Sequence, residues 1–130
     1  MDAYERVPVQ APPAEVVAAL REVLRERGIT EYAVVDHGHD MAAARVGRFV
    51  AWTLVFGNPA VGAKVLEHDL AAAVDIPLRL AVIGEGEQNA TIVLRDMGSL
   101  LGAELGALAE ELTGVLRALA ARAAELATAG

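Results

Sequence analysis

Phe56-Gly57-Asn58-Pro59-Ala60-Val61-Gly62 and, further on, Asp75-Ile76-Pro77-Leu78-Arg79 decide how this chain is read. Each joins a short apolar run to a stop that only special residues make. Leu54-Val55-Phe56 is strand-like, and Gly-Asn-Pro halts it in a turn. Asp75 and Pro77 punctuate the start of a second strand, Leu78 to Ile83, because proline fixes its own φ and restricts the residue before it.

Outward from these motifs the periodicity predicts the remaining elements. Tyr4 to Gln10 alternates loosely and reads as a first strand. Pro12-Pro13 ends it and opens a helix to about Arg27, with Val16, Leu20, Val23 and Leu24 on one face and charges around the rest. Gly28 follows as the left-handed residue past the helix end. Ile29 to Val35 is a second strand, and Phe49 to Phe56 a third, buried by its continuous apolar content. Between them Met41 to Arg45 has room for one or two helical turns. Asn58 caps a short helix from Pro59 to Leu66, and Ala71 to Val74 carries no signal. Gly84-Glu85-Gly86-Glu87 is a hairpin-type turn between the Leu78–Ile83 strand and another, Ala90 to Leu94, which should pair antiparallel.

A long C-terminal helix is expected over about 99–128. Leu101, Leu105, Leu108, Leu112, Val115 and Leu119 recur every three or four residues. Such a helix is on the order of 40 Å long at the usual rise, against about 20 Å for a six-residue strand. Its second half should therefore overhang the sheet or bend, and Leu116, Leu119, Ala123 and Leu126 become a candidate dimer contact. The expected fold is α+β: an antiparallel sheet in the order β-α-β-β-β-β-α, with both main helices packed on one face. One domain over 1–130 fits the length.

Composition narrows the function. The 130 residues carry a formal charge of −7, which disfavours nucleic acid and anionic membrane surfaces as partners. With no cysteine there is no disulfide, thiolate nucleophile or zinc–thiolate site. Met1 to Pro13 is unlike a signal peptide, and the longest uncharged stretch, Phe49 to Ala63, is too short to span a bilayer. A cytoplasmic location is expected, and no cofactor.

These residues and motifs resemble the bacterial and archaeal family known as domain of unknown function 302, over roughly Val7 to Leu101. Asp36-His37 followed by Ala42-Ala43-Ala44 looks like its Asp-His-Ala-rich segment. Phe56-Gly57-Asn58-Pro59 with Gly62 matches its Phe-Gly-Asn-Pro signature, and Asp75-Ile76-Pro77-Leu78-Arg79 its Asp-Leu-Pro-Leu-basic signature. The resemblance implies the same strand–helix–four-strand–helix order, often as a dimer, and no established activity. Where family members usually have an aromatic and then Asn-Asp-Pro after the last strand, Leu94-Arg95-Asp96-Met97 keeps only the Asp. The cysteine of some members is also missing.

Candidate chemistry is sparse. Asp36-His37-Gly38-His39-Asp40 is the densest ligand-type cluster, and His37, His39 and His68 could hold a metal, with Asp69 as another donor. The structural alternative is a solvated turn in which Asp36 or Asp40 caps the next helix. His37 with Asp36 or Asp75 could instead work as an acid–base pair. No nucleophile accompanies it, and a histidine bonded at a strand end is the plainer reading. Arg79 needs solvent or a carboxylate: it either pairs with Asp75 or presents its planar fork to an anionic small molecule. Asn58 is either a helix cap or a polar contact at a pocket mouth.

Three functions remain open. The first is a small-molecule binding module with a cleft between sheet and helix, using Asp36, His37, Asn58, Asp75 and Arg79. The second is an acid–base or metal-assisted enzyme built on His37 and Asp75. The third is a structural homodimer.

Overall fold

A computed structural model describes residues 3–129. Five strands, β1 (Tyr4–Val9), β2 (Thr30–Asp36), β3 (Ala51–Gly57), β4 (Leu78–Gly84) and β5 (Ala90–Arg95), form one sheet. Its order is β1-β5-β4-β3-β2 and every neighbouring pair is antiparallel. The fold is α+β, as expected.

The alternation of side chains fixes which face is covered. Leu54 and Phe56 on β3, Leu80 and Val82 on β4, and Ile92 and Leu94 on β5 are buried together, because same-parity residues of paired strands share a face. Onto that face pack α1 (Pro13–Glu26) and α4 (Gly106–Thr128), which also pack on each other. Pro13 opens α1, whose buried side is Val16, Val17, Ala19, Leu20, Val23 and Leu24. Its end is closed by Gly28 at φ 65° and by the Ile29 amide donating to the Leu24 carbonyl at 2.9 Å. That is the left-handed stop the sequence called for.

Two shorter helices fill the connections: α2 (His37–Ala44) between β2 and β3, and α3 (Pro59–His68) between β3 and β4. The side-chain oxygen of Asp36 accepts from the His39 amide at 2.9 Å, and that of Asn58 from the Ala60 amide at 2.9 Å. A 3-10 segment, Leu70–Asp75, follows α3 with Asp69 as its cap. It occupies the stretch that carried no sequence signal.

Three expectations need correction. The third strand begins at Ala51, not Phe49; Phe49 and Val50 are 57% and 53% exposed. The last helix begins at Gly106, not near Ser99; a 3-10 turn at Met97–Ser99 precedes the expected start and another at Ala103–Leu105 stands within its expected first two turns. Asp96 caps the first of them, and Thr113 accepts the Met97 amide at 2.9 Å. These bonds satisfy the backbone without a continuous helix. Finally, the stripe expected to overhang on α4 is taken up within the chain: Leu116, Leu119 and Ala123 are 0% exposed and Leu126 is half-buried against the core. The half of α4 that outruns the sheet lies across α1, where Arg122 approaches Glu26 at 3.9 Å. Among the described residues no helix is long and apolar enough to cross a membrane.

Candidate functional site

The two motifs meet. Phe56, the last core residue of β3, stands opposite Leu78, the first residue of β4. The chain leaves β3 through Gly57-Asn58-Pro59 into α3 and returns through Ile76-Pro77, whose peptide bond is cis. A Cβ built on Gly57 would lie 3.5 Å from Pro77 Cβ and 3.5 Å from the Tyr32 ring. One built on Gly62 would lie 3.8 Å from Ile76 Cδ1. Both positions thus lie within ordinary contact distance of the returning chain, with room for a Cβ.

Between this junction and α4 lies a cavity of about 460 Å³. Phe56 and Leu78 form its floor, Val61, Val65 and Leu66 of α3 one wall, and Leu112 and Val115 of α4 the other. Ile29, Tyr32, Ile76 and Pro77 complete it, with Asn58 at the turn. No Asp, Glu, Lys, Arg or His lines it. Its size falls within the range of small-molecule pockets, roughly 300–1,000 Å³. An uncharged apolar lining selects for burying apolar surface, since an ion there would lose its hydration unpaired.

Tyr32 owes its place to an irregularity. The β2–β3 register shifts between Glu31 and Ala33, and a bulge turns the extra residue away from the regular alternation. Nothing in the sequence marks that shift. Leu112 and Val115 were read as part of the core stripe of the last helix; a cavity wall and a core wall have the same composition.

The five ligand-binding candidates do not form one site. Asn58 alone lines the larger cavity. Asp75 and Arg79 line a second, smaller one of about 190 Å³, with Val74, Pro77, Leu78, Arg95, Met97 and Leu100. Of the two alternatives for Arg79, pairing with Asp75 is not the one adopted among the described residues, although both residues line that cavity. Asp36 caps α2, and His37 Nε2 shares a 2.7 Å hydrogen bond with Thr53 Oγ1.

His37 is held at Thr53, whereas Asp75 lines the smaller cavity, which His37 does not. The metal set is also dispersed. His68 Nε2 pairs with Glu104 Oε2 at 2.8 Å, His37 with Thr53, and His39 is exposed. Among the described residues no three His, Asp or Glu side chains gather as a metal would require.

Comparison with known proteins agrees with the motifs. The family model described as Domain of unknown function DUF302 matches residues 5–126. A crystal structure of an uncharacterized conserved protein DUF302 from Bacillus stearothermophilus is similar at a TM-score of 0.85 and 20% identity, over 95% of this chain and 99% of that one. At that identity the likeness concerns the fold. No curated protein matches significantly. With the Phe56–Pro59 and Asp75–Arg79 motifs joined at one junction and the match running almost end to end, the chain belongs to the DUF302 family.

Proposed function

We propose that this domain binds a neutral, largely apolar small molecule in the cavity between the β3–β4 junction, α3 and α4. The observation that carries this reading is the cavity itself. A fold with a buried aliphatic core elsewhere leaves about 460 Å³ open where its two motifs converge. Half open to solvent and lined almost wholly by apolar side chains, the cleft has the size and character of a small-molecule pocket. Asn58 and Tyr32 supply the polar groups at its wall. Asn58 spends its side-chain oxygen on the Ala60 amide, which leaves its NH2 to donate to a ligand carbonyl or hydroxyl.

Native mass spectrometry of freshly purified protein tests the reading, followed by thermal shift with a neutral medium-chain alcohol. A ligand present at a hundred times its Kd stabilises by about 2.7 kcal/mol, a readily measured rise in melting temperature. No retained mass and no shift with any neutral apolar probe would defeat the proposal.

A further inference from the structure

We infer that the smaller cavity, at the start of β4 and the end of β5, is an anion-binding site in which Arg79 and Arg95 jointly grip one carboxylate or phosphate group. It adjoins the apolar cavity, sharing Pro77 and Leu78 with it, but does not depend on a ligand there.

The placement of the two arginines is the starting point. β4 and β5 pair with Ala81 opposite Val93. The paired ladder ends there, and extending its register by two residues brings Arg79 and Arg95 to the same face at the open end of the two strands. Both line the cavity of about 190 Å³.

Four arginines sit in ion pairs: Arg21 with Glu31, Arg25 with Glu22, Arg117 with Glu5 and Arg122 with Glu125. Arg79 and Arg95 pair with no carboxylate among the described residues, and what sets them apart from other unpaired arginines such as Arg27 and Arg48 is that both line one cavity.

Arg95 is also held in position. Its guanidinium carbon lies 4.9 Å from the centre of the Tyr4 ring, and its Nη2 donates to the Tyr4 hydroxyl at 3.3 Å. Stacking fixes the plane of the fork before any ligand arrives, so less freedom is lost on binding. Two adjacent forks match the paired oxygens of a carboxylate or phosphate.

Asp75 sets what else the ligand carries. It lines the same cavity, so a bare multiply charged anion meets a negative residue there. The site favours a small anion with a hydrogen-bond donor, such as a hydroxyl or amino group, beside its charged end. Val74, Leu78, Met97 and Leu100 form the apolar remainder of the wall.

The test is NMR titration of the full chain with inorganic phosphate and, separately, lactate, reading the arginine Nε–H signals. Saturable shifts of Arg79 and Arg95 with at least one anion are expected, weakened by added salt. Arg79→Gln should weaken binding about tenfold, as loss of one charge-assisted contact implies. Arg79→Lys keeps the charge without the fork and should fall between, while Asp75→Asn should tighten phosphate. Arg79 is exposed, so these variants keep the fold, which amide spectra verify. No saturable shift with either anion, or unchanged binding in Arg79→Gln, would overturn the inference.

Discussion

Gly57 and Pro77 face each other across the β3–β4 junction: a Cβ built on Gly57 would lie 3.5 Å from that of Pro77. This is the point at which two separated sequence motifs become one piece of structure. The turn that leaves β3 and the segment that returns to β4 brace each other, and α3, held between them, is kept off the sheet. The space under α3 is the apolar cavity.

Gly62→Leu tests that space directly. Gly62 lies within α3 at a helical φ, and its nearest neighbour beyond the helix, Ile76 Cδ1, would be 3.8 Å from a new Cβ. The backbone accepts a side chain there, and leaving glycine favours the helix by up to about 1 kcal/mol. The leucine would then occupy the cavity. The expected outcome is an equal or higher melting temperature with neutral-probe binding abolished. A variant that binds as the parent does would place the ligand elsewhere.

Leu116 and Val115 are neighbours with different duties. Leu116 is 0% exposed between α4, α1 and the sheet, whereas Val115 is 36% exposed and faces the apolar cavity. Leu116→Ala should cost about 2–5 kcal/mol in urea unfolding. Val115→Ala should cost under about 1 kcal/mol, since half-exposed surface positions contribute little. Light scattering alongside separates this from the overhang arrangement, in which Leu116→Ala would change the assembly and leave stability nearly intact.

Much of this architecture was legible. The succession of strands and helices along the chain, the hairpin joining the last two strands, the α1 stop at Gly28 and the Asn58 cap each follow from a local rule that the structure leaves in force. What was not legible shares one cause. Phe49 and Val50 have the residue types of a buried strand, but only pairing decides where a strand starts, and pairing is non-local. The long leucine stripe of α4 looked like surplus because its other partner, α1, lies far away in sequence. Arg95 drew no notice because an arginine near a strand end is ordinary until Arg79 is known to line the same cavity. Cavity walls are the extreme case, since Leu112 lining a void is chemically the same as Leu112 filling one.

Gly38→Ala should be damaging for a reason confined to the other end of β3. A Cβ at Gly38 would run into the backbone carbonyl oxygen of Phe49, which cannot swing aside as a side chain would. Forcing atoms into so close an approach typically costs about 1–3 kcal/mol. The His37–Thr53 hydrogen bond should weaken with it, visible as a change in the His37 ring signals. Binding at the apolar cavity should persist in the folded fraction, because the lesion lies beyond Thr53 from Phe56. Lost binding in fully folded Gly38→Ala would contradict the division of the molecule described above.

The tie between β1 and α4 gives the fold an acid-sensitive element. Arg117 holds Glu5 by a pair of charge-assisted bonds, Nη2 to Oε2 at 2.7 Å and Nε to Oε1 at 2.8 Å. The hydrogen bond from Arg117, aided by its charge and opposed by slight desolvation, lowers the Glu5 pKa below the usual carboxylate value. A carboxyl whose pKa is lower folded than unfolded stabilises the native state above its unfolded value, about 4.3 for glutamate, and loses that contribution as pH falls through the folded one. The pair is solvent-exposed, so its contribution is small and screened by salt. Arg117→Gln should therefore melt slightly below the parent at neutral pH. That gap should narrow as pH drops below the glutamate range, and should narrow also in concentrated salt at pH 7. A gap that stayed constant under acid would mean that Arg117 acts through its alkyl stem packed along α4, and that the charge pair is incidental.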